Sequence, residues 1–261
     1  MRYRGRRLEL VMPWIVILGL LVIWQIVVQV FRIRPFILPS PIAIVAAFLE
    51  YRAPIMDSAL FTLVNTLSGF AIGIVIGMLI GIFIGSSRLA YAGLYPLLVG
   101  INSVPKAAIV PILVLWMGIG QPPAITTAFL LSFFPIAVNV ATGLATVEPE
   151  LEDVLRSLGA SRLDILRKVG LPRTMPYFFA SLKVAISLAF VGAVISETIA
   201  SNDGIGYLML QSASQFRTPL LFAGVFVIAA MGIATYLACA LIESRMTNWA
   251  TRRQEMHFGG G

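Results

Sequence analysis

Six long apolar stretches, separated by short polar segments, organise the chain: residues 12–30, 59–85, 94–116, 124–145, 177–200 and 220–242. About 20 mainly apolar residues wound as a helix cover a hydrocarbon core of about 30 Å, and a backbone in lipid must satisfy its own hydrogen bonds. The pattern predicts an all-α membrane protein with about six transmembrane helices. Two segments outside the spans also carry helical patterns. Pro39-Ser40-Pro41 starts a short amphipathic helix over residues 42–49, expected at the outer membrane surface, because proline is tolerated in a first turn. The other is the long connection 147–176, whose composition is mixed and helix-forming.

Composition sharpens this picture. Of the 261 residues, 59% are hydrophobic and 12% charged, where a soluble domain carries about 25% charged; an ordinary cytosolic domain is excluded. The net charge of +7 would suit nucleic acid, but the cations sit in short segments between apolar runs. They read as membrane orientation, and no nucleic-acid partner is expected. With the N-terminus inside, the cytoplasmic segments hold thirteen Lys and Arg and the external ones four, Arg32, Arg34, Arg52 and Arg217. The positive-inside rule then places both termini in the cytoplasm. Residues 1–11 become a cytoplasmic N-terminal segment, 12–246 the membrane domain with a cytoplasmic loop at 147–176, and 247–261 a cytoplasmic tail. The first apolar run follows Arg2, Arg4, Arg6 and Arg7 as a signal peptide would, but it is too long and no small-residue cleavage site follows, so it is expected to stay in the protein. Cys239 is the single cysteine and His257 the single histidine. No disulfide, metal site, catalytic residue or bound cofactor is expected.

Gly69, Gly73, Gly77, Gly81 and Gly85 recur every four residues and lay a small-residue ridge along one face of the second span, a device for close helix packing. The third span holds Pro96, Pro105 and Pro111; each proline removes a helical hydrogen bond, and a break is expected around residues 103–106. A break at membrane depth needs protein or a wet cavity beside it. Asn102, Ser103, Lys106, Asn139 and Glu197 put polar groups at or near span depth, and a charge at the bilayer centre costs on the order of 3 kcal/mol. Two readings stay open: these residues line a translocation pathway, or Lys106 and Glu197 form an ion pair that joins the third and fifth spans. Lys183, near the cytoplasmic end of the fifth span, is expected to snorkel.

In the cytoplasmic loop, Leu151, Val154, Leu155 and Leu158 fall on one helical face. Gly159 stops that helix and Ser161 can cap a second, carrying Leu163, Leu166 and Val169. Two short amphipathic helices joined by a glycine corner are a docking element for a soluble partner, because an isolated pair this short holds no fixed shape. The spacing Asp153-Val154-Leu155, then Gly159, then Val169-Gly170-Leu171-Pro172 resembles the cytoplasmic signature of the permease subunits of binding-protein-dependent ABC importers. That signature reads Glu-Ala-Ala, three residues, Gly, nine residues, Ile-x-Leu-Pro; Asp here replaces Glu, and Val-Leu replaces Ala-Ala. Leu38-Pro39-Ser40-Pro41, Val104-Pro105-Lys106, Leu115-Trp116-Met117-Gly118-Ile119-Gly120, Phe134-Pro135-Ile136 and Ser157-Leu158-Gly159-Ala160-Ser161 resemble the nitrate, sulfonate and taurine branch of that family, which also includes carriers of thiamine precursors, riboflavin and aromatic acids.

The resemblance implies a type I importer bundle in a bacterial inner membrane, in which two copies form the pathway. Two cytoplasmic ATP-binding subunits holding ATP and Mg would drive it, and an extracytoplasmic binding protein would deliver substrate. It implies ATPase coupling through Leu151, Asp153, Val154, Leu155, Leu158, Gly159, Ala160 and Ser161. The chain itself has no Gly-x-x-x-x-Gly-Lys-Ser/Thr phosphate loop and is expected to be a non-catalytic subunit. A small anion such as a sulfonate, taurine or nitrate is the expected substrate. The alternatives are a membrane-embedded capture subunit of a vitamin importer, which would lack the cytoplasmic glycine corner, and a secondary transporter, which would show paired broken segments in two repeats.

Overall fold

A computed structural model describes residues 2–246, so the tail and His257 lie outside the described residues. The described residues form eleven α-helices in order: α1 Arg2–Val30, α2 Pro41–Glu50, α3 Arg52–Gly85, α4 Arg88–Asn102, α5 Val110–Met117, α6 Gln121–Ala145, α7 Pro149–Ser157, α8 Arg162–Ile165, α9 Leu171–Ala200, α10 Ile205–Ser214 and α11 Thr218–Met246. Among the described residues there is no strand. Among the described residues, five helices are long and apolar enough to cross a bilayer, and the pair α4 and α5, bent by 73°, makes a sixth span if it is one.

α3, α6 and α9 form the centre. Lipid tails are as apolar as leucine side chains, so these helices associate through close contact between small residues. The glycine ridge of α3 lies along α6. A Cβ at Gly69 would stand 2.5 Å from the Ile125 carbonyl oxygen, one at Gly77 2.8 Å from that of Phe133, and one at Gly81 2.6 Å from the Val140 Cβ. Gly192 plays the same part between α9 and α6, 2.7 Å from the Thr127 carbonyl oxygen; it stands alone in its span and sends no periodic signal in the sequence. Phe70, Ile136, Val140, Phe178, Phe179, Leu182 and Ile186 fill the space these approaches leave. By contrast, only 6% of the most apolar window of α1 or of α11 is buried, which places both helices at the lipid-facing periphery.

A second cluster, Ile44, Ile55, Leu208, Leu220 and Ala223, gathers α2, the start of α3, α10 and the start of α11 at one end of the bundle. α2 forms where expected, with Ser40 Oγ accepting the Ala43 N–H. The loop 147–176 hangs from the opposite end, where α3 finishes against Ala141 and Leu144 of α6.

Three expectations change. First, the 201–217 connection is not a plain loop, because Gly204 opens the ten-residue helix α10; its signal, a glycine followed by Ile205 and Leu208 on one face, is legible but short. Second, the expected second helix of the cytoplasmic loop is not a separate element. α8 runs through a π-type turn at Leu166–Gly170 into α9, giving one 39-residue helix from Arg162 to Ala200. Pro172 therefore lies inside the continuous helix, just past the π-type turn, where the altered hydrogen-bond ladder takes up its missing N–H. Third, Lys183 does not simply snorkel: its Nζ lies 2.6 Å from Glu243 Oε2, an ion pair that joins α9 to α11.

Candidate functional site

The glycine corner of the loop is built by backbone geometry. α7 ends with the Gly159 N–H donating to the Arg156 carbonyl at 2.9 Å and the Ala160 N–H to the Leu155 carbonyl at 3.0 Å. This paired closure requires a left-handed residue between its arms, and Gly159 supplies it with φ of +85°. The chain then extends through Ser161, whose Oγ accepts the Asp164 N–H at 3.1 Å and starts α8. The Ser161 hydroxyl and the Lys168 ammonium, 2.9 Å from Asp164 Oδ1, hold the Asp164 carboxyl down to about 2. Glu148 and Arg173 meet at 3.5 Å across the base of the loop.

This construction presents apolar side chains to the outside. Val154 is 55%, Leu158 78% and Leu163 53% exposed, and Leu151 and Leu155 are half-buried beside them. Asp153 and Ser161 are exposed and Ala160 is half-buried. Ile165, in contrast, is buried and pins the second arm. Leu163, beyond the corner on the second arm, is exposed as well.

The third span breaks as its prolines require. α4 ends at Asn102, Pro105 is extended, and a 3-10 turn from Lys106 to Ile109 leads into α5. The break returns Lys106 onto the last turn of α4. Its Nζ donates to the Asn102 carbonyl at 2.6 Å and to Asn102 Oδ1, and it stands 5.8 Å from the centroid of the Phe134 ring. A cation beside orphan carbonyls at a helix C-terminus is favourable, and so is one over an aromatic face. Asn102, Ser103 and Lys106 therefore share one site, with Ser103 Oγ turned to the Val99 carbonyl at 3.4 Å. Asn139 sits further along α6 with its Nδ2 donating to the Pro135 carbonyl at 2.8 Å. Among the described residues, no carboxylate lies within ion-pair distance of Lys106.

Glu197 stands apart from that group. It is fully buried, and its carboxylate accepts from Thr62 Oγ1 at 2.7 Å, Asn65 Nδ2 at 3.1 Å and the Gly206 N–H at 3.2 Å. The ion pair between Lys106 and Glu197, left open by the sequence, does not form. The glutamate has its donors on α3 and α10, the latter an element the sequence reading lacked. Between α9 and α11 runs an open apolar groove of about 360 Å³, lined by Phe190, Val194, Ile228 and Gly232 among others; it offers nothing to hold a charged solute.

A bundle with one broken span and a glycine-cornered loop has the parts of a membrane permease. The chain belongs to the binding-protein-dependent transport system inner membrane component family, whose model matches residues 73–248. Within it, the chain is 30% identical over 242 residues to the formylaminopyrimidine transport permease protein of Halalkalibacterium halodurans, covering 92% of this chain and 96% of that one. It is 34% identical to the riboflavin transport system permease protein of Chloroflexus aurantiacus, over 88% of this chain and 87% of the relative. It is 31% identical to the putative aliphatic sulfonates transport permease protein of Escherichia coli, with 92% of each covered. Among solved structures, an inward-facing methionine ABC transporter superimposes with a TM-score of 0.67 at 20% identity, over 76% of this chain and 98% of that one. The fold is therefore that of a type I ABC importer permease, as the loop signature implied.

Proposed function

We propose that this chain forms half of the translocation pathway of an ATP-driven importer. In this reading it pairs with a second copy, receives substrate from an extracytoplasmic binding protein, and draws energy from two cytoplasmic ATPase subunits through residues 150–172. Both termini and that loop are cytoplasmic, and α2 and α10 face outward. The observation that carries the reading is the corner at Gly159. Among the described residues, Val154, Leu158 and Leu163 stand exposed on a turn of fixed geometry, and the turn is joined to a helix that runs unbroken to Ala200. At about 1.5 Å per residue that helix is roughly 60 Å long, enough to carry movement from a docked subunit across a bilayer.

Lys106 supports an anionic substrate, a sulfonate, taurine or nitrate among them. It is a cation in a broken span whose partners, a carbonyl and an amide oxygen that each accept a hydrogen bond and a nearby ring, do not cancel its charge. With Asn102, Ser103 and Asn139 it would line the pathway. The experiment is uptake of a radiolabelled alkanesulfonate into proteoliposomes holding the permease, its ATPase and its binding protein. Lys106→Gln is expected to assemble, keep basal ATP hydrolysis and lose at least tenfold in uptake. Undiminished uptake by the assembled variant would remove Lys106 from the pathway and the anionic preference with it.

A further inference from the structure

The buried carboxylate of Glu197 is not used by the transport site described above, yet it organises one end of the bundle. Its three donors come from two other elements: Thr62 and Asn65 on α3, and the Gly206 N–H in the first turn of α10. Thr62 does double duty, because its Oγ1 donates to Glu197 Oε2 at 2.7 Å and accepts the Ile205 N–H at 2.9 Å. The first two orphan N–H groups of α10 are thus satisfied by a carboxylate on α9 and by a hydroxyl that the same carboxylate polarises.

The surrounding backbone is shaped to this contact. Gly204 has φ of +95°, and a Cβ there would collide with the Glu197 carboxyl group. At Gly206 a Cβ would stand 2.5 Å from the Val194 carbonyl oxygen and 2.8 Å from the Glu197 Cβ. Ser201 Oγ accepts the Asp203 N–H at 3.1 Å and tightens the turn that brings α10 back onto α9. At the same end, the Gly120 N–H donates to the Ala200 carbonyl at 3.0 Å, so the last residue of α9 is also tied to the start of α6.

We propose that Glu197, acting through Thr62, is a positioning residue that rivets α10 to α3 and α9, so that movement of the long α9 helix is delivered to α10 at the far mouth of the pathway. The proposal rests on the reading of the loop as the ATPase coupler. α10 is only ten residues long, too short to hold its own shape or place in isolation; the rivet supplies both. Breaking it leaves α7, α8 and the ATPase contact untouched, and the predicted failure is uncoupling: ATP is hydrolysed but substrate does not move.

Thr62→Val keeps the shape of the side chain and removes the shared hydroxyl, leaving the Ile205 N–H without a partner and Glu197 Oε2 with the Gly206 N–H alone. Thr62→Ser keeps the hydroxyl. Glu197→Gln keeps the size and puts an amide donor among donors. In proteoliposomes holding permease, ATPase and binding protein, Thr62→Val and Glu197→Gln are expected to retain bound ATPase and basal hydrolysis while uptake per ATP falls at least tenfold. Thr62→Ser should stay within twofold of the parent. Hydrogen exchange supplies the local reading: the Ile205 and Gly206 amides should exchange at least tenfold faster in Thr62→Val and Glu197→Gln, with the amides of α6 unchanged. Normal uptake per ATP in an assembled Thr62→Val or Glu197→Gln complex overturns the proposal, as does unchanged exchange at Ile205 and Gly206. Failure of both variants to assemble also overturns it, because the residues then serve folding alone. Absence of ATP-driven uptake by the parent complex would count against the functional reading instead, and the exchange comparison would still decide whether the rivet exists.

Discussion

Gly77→Leu is expected to abolish folded protein, with almost none recovered as a monodisperse species in mild detergent. Gly77 faces the backbone of α6, and even a Cβ would stand 2.8 Å from the Phe133 carbonyl oxygen and 3.0 Å from the Ile136 Cβ. Neither of those atoms is the end of a flexible side chain, so the leucine can be accommodated only by moving the helices apart. Overpacking of this kind costs about 1–3 kcal/mol in cores that can adjust, and here it would also open the contacts at Gly73 and Gly81 on either side. Without a hydrophobic force to hold separated helices together in lipid, lost contact is lost association. The check is fluorescence-detected size exclusion of a tagged chain. A normal peak for Gly77→Leu would mean that the ridge does not hold α3 to α6. Gly93→Leu is the control, since a Cβ there meets nothing within 4 Å, and its peak should match the parent.

Gly159→Val is expected to abolish uptake, by at least tenfold, with the membrane bundle intact. A Cβ at Gly159 meets nothing within 4 Å, so the effect comes from the backbone alone. A left-handed residue with a Cβ costs roughly 1–2 kcal/mol, and a β-branched one is a sharper misfit. The corner would relax to negative φ, the closure onto Leu155 and Arg156 would open, and the two arms that carry the exposed Leu158 and Leu163 would lose their fixed relation. Gly159→Asn tests this cause, because asparagine tolerates the left-handed region and commonly replaces glycine at such ends; it should keep most of the uptake. Equal loss in both variants would point to size or polarity at the corner instead of backbone conformation.

What the sequence allowed to be read, and what it hid, follows from the range of the forces involved. The spans, the break near Lys106 and the end of α7 at Gly159 depend on local chemistry, namely apolar run length, missing N–H groups at proline and the conformational freedom of glycine. The family signature was legible in the spacing around Asp153 and Gly159 although its identities differ. Glu197 was recognised as unusual, but its partners on α3 and α10 lie far away in the chain, and the sequence offered Lys106 as the only intramembrane cation near enough to suggest. Nor does the apolar run that starts at residue 177 reveal that α8 and α9 are continuous: a π-type turn keeps the helix going through Leu166–Gly170. Lys183 and Glu243 are 60 positions apart, and only the antiparallel packing of α9 on α11 brings them together.

The central claim is that the exposed corner is where an ATPase docks, and co-elution tests it most directly. The tagged chain would be co-expressed with its cognate ATPase subunit, extracted in mild detergent and passed through affinity and size-exclusion columns. The parent chain should carry the ATPase in equal amount. Val154→Glu combined with Leu158→Glu, both at positions more than half exposed, should leave the size-exclusion profile and helix content of the permease unchanged and reduce the co-eluting ATPase at least tenfold. Full retention of the ATPase by the double variant would contradict the account.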